Sequence, residues 1–209
     1  MSSILFWVGA LVVLALVRPL LKFVIAAVAG KEIGEHAVAS QPDQIHLQKV
    51  GPSAWKDAAA PRIIADALAA HGFADAGVHT VAEMPGVVVQ LLASARDGFY
   101  AALYEHPQAG HWFDLISRFQ DGTSVTYSTA RPTALKPRPG HPTVNLPGAG
   151  APAALNRALM LRPRRPLQVV SVQEAAHAFE QGYAESMAYR KGVGISTGEV
   201  IGTAARKAA

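Results

Sequence analysis

The chain of 209 residues contains no cysteine, which removes disulfide frameworks, thiolate zinc sites, iron–sulfur clusters and cysteine nucleophiles together. Either redox compartment stays open. Charged residues are scarce at 16%, against a hydrophobic fraction of 50%, although much of that excess is alanine, which favours helices but builds weak cores. Eight histidines are present, yet they form no HExxH, no HxH and no pair four apart on a helix, so no zinc motif can be read from them. GxSxG is matched once, by Gly194-Ile195-Ser196-Thr197-Gly198, but no strand precedes it, and no serine stands at a strand-to-helix elbow. The glycine-rich run from Gly192 to Gly198 follows no strand and carries no Walker lysine, so it reads as a connection between helices. No aromatic platform or recognition-helix motif accompanies the basic residues, which argues against nucleic acid. No solenoid repeat is visible. From these absences we assign no catalytic residue, metal or cofactor.

One segment carries the hydrophobic excess. Ile4 to Gly30 reads ILFWVGALVVLALVRPLLKFVIAAVAG, and the uncharged run from Met1 to Val17 sits at the short end of what spans a bilayer. Arg18 and Lys22, four apart on one helical face, let their stems snorkel while Leu20, Leu21, Phe23, Val24 and Ile25 extend the apolar surface. Residues 1–30 are therefore expected to be a transmembrane or membrane-anchor helix. Signal-peptide cleavage after Ala27-Val28-Ala29 competes with this, but the stretch before the apolar run has no basic residue. Arg18, Lys22 and Lys31 all follow the run, so the positive-inside rule expects a single-pass inner-membrane protein with its C-terminal part in the cytoplasm. An inverted topology, or a cleaved signal, would place that part in the periplasm.

Residues 31–52 are polar and expected to be a tether, with a short helix at its start or a strand in IHLQKV. Residues 53–209 are expected to form a single α+β domain. APRIIADALAAHGF has Pro61 near a helix start, apolar residues at helical spacing and Gly72 as terminator. From Phe73 the period changes to two. GVHTVAEM, GVVVQLLAS, GFYAALYEH, HWFDLISRF and TSVTYSTA are joined by short turns that permit only antiparallel neighbours. The expectation is a five-stranded antiparallel meander with the preceding helix on one face. In HWFDLISRF, Phe113, Leu115, Ser117 and Phe119 should meet that helix, with Trp112, Asp114, Ile116 and Arg118 opposite. Residues 131–152 are so dense in proline that they read as an irregular crossing segment. C-terminal helices follow, two of them announced by capping boxes, Ser171 with Glu174 and Ser196 with Glu199.

Charge is divided along the chain. Residues 31–130 hold 6 Lys or Arg against 11 Asp or Glu, whereas residues 131–209 hold 11 against 4. RPRRP, with Arg162, Arg164 and Arg165, is the candidate contact for anionic lipid head groups, alongside Arg18 and Lys22 at the anchor. The other candidate binding residues are His106, His111 and Trp112 in YEHPQAGHWFD, with His141. If PQAG is a four-residue loop, His106 and His111 close it as cross-strand partners, and His141 with Glu105 or Asp114 would complete an open metal site.

The leading expectation is a non-catalytic binding or scaffolding module at the inner membrane, with the bilayer and a protein as partners. One alternative is a metal-dependent or other hydrolase using the His106, His111 and His141 region. A further alternative is a toxin-immunity or secretion-accessory protein.

Overall fold

The computed structural model describes residues 38–200, with Glu32, Gly34, Glu35, His36 and Gly202. The expected anchor, with Arg18 and Lys22, lies outside the described residues. Among the described residues no helix is long and apolar enough to cross a membrane. Packing divides the chain into two compact units, one made of Pro42–Pro132 and Pro137–Tyr189, the other of Met1–Gln41, Thr133–Lys136 and Arg190–Ala209.

The larger unit begins with strand β1 (Leu47–Val50), a turn of 3-10 helix at Pro52–Ala54 and helix α1 (Ala59–Ala70). Alanine, isoleucine and leucine favour the helix, and Pro61 sits in its first turn, where no N–H partner is lost. It stops at His71, whose carbonyl accepts a hydrogen bond from Arg96 Nη2 at 2.8 Å. Leu68 is wholly buried, and truncating it to alanine should cost about 2–5 kcal/mol.

The period-two runs then form β2 (Ala74–Val81), β3 (Val88–Ser94), β4 (Phe99–His106), β5 (Gly110–Phe119) and β6 (Ser124–Ser128), each antiparallel to the next. The sheet is larger than the expected five strands. β1 adds to β2, β7 (Thr143–Asn145) adds to β6, and β8 (Leu167–Gln168) pairs with β5, for 8 strands in all. β7 lies inside the Pro-rich segment expected to be irregular. Three residues between Pro142 and Leu146 are enough for an edge strand, and prolines cost nothing where the outward N–H has no partner. β7 runs parallel to β6 because the intervening segment is long enough to return across the sheet. β1 is the strand expected in IHLQKV, within the stretch otherwise read as a tether.

Both sheet faces are buried, giving three layers. One face gathers Leu92, Leu103, Phe113, Leu115, Phe119 and Tyr127 under α1 and helix α2 (Ala151–Leu161), which contributes Ala154, Leu155 and Ala158. The other packs Val89, Leu91, Tyr100, Ala102 and Ile116 against helix α3 (Ala175–Val193) through Ala175, Ala178, Phe179 and Tyr183. The chain changes face at β8: Leu167 packs with the first core and Val170 with the second. Central strands buried on both sides read as nearly continuous apolar runs, as VVVQLLAS does.

In the smaller unit, Ser196 and Glu199 form the expected capping box, with Ser196 N–H donating to Glu199 at 2.9 Å and Glu199 N–H to Ser196 Oγ at 3.3 Å. Glu199 also accepts from the Lys136 amide at 2.7 Å and from Arg190 at 3.0 Å. Burial works to raise its pKa, but these donors outweigh it and hold the carboxyl down to about 2.

Candidate functional site

The β4–β5 hairpin settles the geometry of the two histidines that flank its loop. His106 pairs with Gly110, and His111 pairs with Glu105. The loop is thus Pro107-Gln108-Ala109, one residue shorter than PQAG, with Gly110 at φ +75 supplying the left-handed position such a loop needs. That single step of register puts His106 and His111 on opposite faces. His106 turns back on its own loop, where its Nδ1 accepts the amides of Gln108 at 3.1 Å and Ala109 at 3.2 Å.

His111 is committed to Glu105. Its Nε2 lies 2.8 Å from Glu105 Oε2, and the same carboxylate accepts the amides of Lys56 and Asp57 at 2.9 Å each. Trp55 closes the cluster, its ring 6.4 Å from that of His111. Burial pushes the Glu105 pKa up, but the amides of Asp57 and Lys56 and the His111 ring outweigh it and hold the carboxyl below its ordinary range. The cluster pins the segment before α1 onto the sheet.

On the α3 side lies a second polar group. Asp114 stands opposite Ala102 on β4 and Ser128 on β6. The Ser128 and Tyr104 hydroxyls favour its charged form, while its Oδ1 is buried without a hydrogen-bond partner. Desolvation raises the Asp114 pKa to about 6, the two hydroxyls offsetting part of the effect. Trp112 stacks on Tyr104 with centroids 4.6 Å apart, and Phe179 of α3 lies 5.9 Å from Tyr104 on the same side.

His141 belongs to a third cluster. Its Nδ1 lies 2.8 Å from Ser124 Oγ and 3.1 Å from Arg138 Nη2. A guanidinium only donates, so Nδ1 must be the acceptor and the ring proton sits on Nε2. Burial, then the Arg138 charge, lowers the His141 pKa. Arg138 in turn pairs with Glu185 of α3 at 2.9 Å. The contact has the look of a nucleophile and its base, but the acid touches the arginine rather than the imidazole, and the arginine competes for the nitrogen the serine uses. It is a strut tying the β6–β7 edge to α3.

The three histidines therefore occupy three places. Ser124 pairs with Arg118, seven residues along β5 from His111, which is about 23 Å at the strand rise. Among the described residues no group of three or more His, Asp or Glu is placed to hold a metal ion. No family model, curated protein or solved structure matches the chain.

RPRRP splits in function. Arg162 Nη1 donates to the Asp97 carbonyl and to Ser117 Oγ, and its guanidinium lies 4.6 Å from the Phe99 ring centroid. Arg165 pairs with Asp121 at 3.2 Å. Arg164 is exposed and has no hydrogen-bond or ion-pair partner among the described residues. In the sequence Glu105 and Asp114 stand out only as alternative carboxylates of a metal site, and nothing local singles out Tyr104, Arg138 or Glu185. Strand alternation does place Tyr104 and Trp112 on one side, but nothing local tells which turn of α3 will face them.

Proposed function

We propose that this protein is a non-catalytic binding or scaffolding module held at the inner membrane by its N-terminal apolar segment, with its folded part in the cytoplasm. The observation that carries the binding role is Trp112. It is half-buried, stacked on Tyr104 and 6.5 Å from the His106 ring at the end of a short-looped hairpin. An aromatic held in place before binding loses little conformational entropy on contact, which is why Trp and Tyr dominate the energetics of protein interfaces. The non-catalytic part of the reading is supported by His106 and His111, which are already engaged in loop and sheet contacts. The membrane role rests on the apolar run from Met1 to Val17 and the basic residues that follow it.

The test uses the full chain expressed in bacterial cells. A photo-crosslinking phenylalanine analogue at position 112 should give a discrete adduct with one protein, and the same probe at the exposed Ile63 should not. The chain should resist extraction of membranes at alkaline pH. Extraction into the soluble fraction would end the anchor reading, and indistinguishable adduct patterns at 112 and 63 would end the binding-edge reading.

A further inference from the structure

We infer that the C-terminal end of α2 and the loop after it form a docking surface for an anionic phospholipid bilayer. Met160 is 76% exposed, and Leu159, Leu161 and Val169 are 41%, 45% and 47% exposed. Four large apolar side chains thus stand in water within eleven residues of chain. The helix explains why. Its inward stripe is taken by Ala151, Ala154, Leu155 and Ala158, so Leu159, Met160 and Leu161 have no core left to enter. Apolar side chains concentrated in this way mark an interaction surface rather than ordinary surface composition.

Charge says what covers it. Arg157 lies three and four residues before Met160 and Leu161 and so shares their side of the helix. Arg164 follows in the loop. Both arginines are exposed, and neither has a partner among the described residues. Arg162, Arg164 and Arg165 line a cleft of ≈ 360 Å³ together with Leu159, Met160, Pro163 and Leu167. Two carboxylates that touch the residues of this loop or its contacts are already engaged, Asp97 by Arg96 at 2.9 Å and Asp121 by Arg165 at 3.2 Å. Pro163 and Pro166 restrict the loop between them, so the guanidinium groups are presented with little entropy left to lose.

Free cations interleaved with apolar side chains match the bilayer interface, where phosphate groups overlie hydrocarbon. An acidic protein partner would satisfy the arginines and leave Met160 and Leu161 without a counterpart. Each arginine that reaches an anionic leaflet strengthens the contact about fivefold. The contact rests on the membrane reading above for its strength, because a chain already tethered to a bilayer meets that bilayer at high effective concentration.

The absence of cysteine makes the test clean, since Met160→Cys and Ile63→Cys each offer one site for a fluorophore. Both native side chains are largely exposed, at 76% and 70%, so neither substitution disturbs the core. Full-length protein is reconstituted with phosphatidylcholine vesicles, with or without roughly a third phosphatidylglycerol, using brominated acyl chains as quencher. We expect quenching at position 160 that requires the anionic lipid, weakens with salt, and falls about fivefold for each of Arg157→Gln and Arg164→Gln. Position 63 should stay unquenched. Equal quenching at 160 on neutral and anionic vesicles overturns the proposal. So does no quenching at all, which is also the outcome if an acidic protein is the true occupant. Vesicle flotation separates the two readings. A chain that floats on neutral and anionic vesicles alike, with position 160 unquenched on the anionic ones, keeps its anchor and loses this surface, whereas a chain that floats only on anionic vesicles with position 160 quenched keeps the surface and loses the anchor.

Discussion

Asp114 offers the sharpest quantitative test of the fold. Its carboxyl is buried between β4, β5 and β6 with one oxygen unpartnered, and its pKa rises from 3.8 to about 6 because desolvation penalises the charged form. A carboxyl whose folded pKa exceeds its unfolded value binds its proton more tightly when folded. Below about pH 3.8 both states are protonated and nothing is lost. As pH rises through about 6 the folded state must carry a buried charge, and stability falls. The rise from 3.8 to about 6 corresponds to at most about 3 kcal/mol, less whatever the remaining exposure of the residue screens. Asp114→Asn removes the charge while keeping the size and shape of the side chain. Urea unfolding of the full chain in a mild detergent, from pH 4 to pH 8, should show the variant gaining on the native protein by up to about 3 kcal/mol as pH rises. The difference between the two proteins is the proper readout. Groups with lowered pKa values such as Glu105, Asp97 and Glu199 act in the opposite direction at more acid pH, and they cancel in that difference. A flat difference, or one that grows toward acid, refutes the burial argument.

Other predictions concern the hairpin and its surroundings. Glu105→Ala leaves the amides of Lys56 and Asp57 without acceptors and should cost about 3 kcal/mol, whereas His111→Ala should cost about 1 kcal/mol; denaturant titration of both variants checks the order. Because the Glu105 pKa is lowered, its contribution is present above the ordinary glutamate range and is lost in acid, so the Glu105→Ala deficit should shrink as pH falls below that range. Gly98 and Gly110 both have positive φ, +63 and +75, but a Cβ at Gly98 would lie 2.5 Å from Leu167 Cδ1 while one at Gly110 meets nothing within 4 Å. Gly110→Ala should therefore cost only the left-handed backbone term of about 1 kcal/mol, and thermal melts should show a clearly larger loss for Gly98→Ala.

The strands were legible because their signal is local. Alternation in HWFDLISRF places Phe113, Leu115 and Phe119 on one face, and those residues enter the first core. Short turns between five consecutive runs leave antiparallel pairing as the single option. The capping boxes at Ser171 and Ser196 are local in the same sense, and both form. Register was not legible to the last residue. Whether His106 meets His111 or Gly110 depends on whether the loop holds four residues or three, and proline beside glycine allows either.

What the tertiary structure alone decided is what depends on distant parts of the chain. The small strands β7 and β8 are three and two residues long, too short to carry a period, and they exist because a preformed sheet offers them hydrogen bonds. The same holds for α3. An amphipathic stripe announces that the helix buries one side, but only the path through β8 sends it to the second face, where it covers Tyr100, Ala102 and Ile116. His141 meets Ser124 and Arg138 instead of the hairpin histidines because β7 pairs in parallel with β6, a long-range choice with no local mark. The arginines of RPRRP show the division most plainly. Sequence determines their number and spacing, whereas packing ties Arg162 and Arg165 into the fold and leaves Arg164 facing water beside Met160.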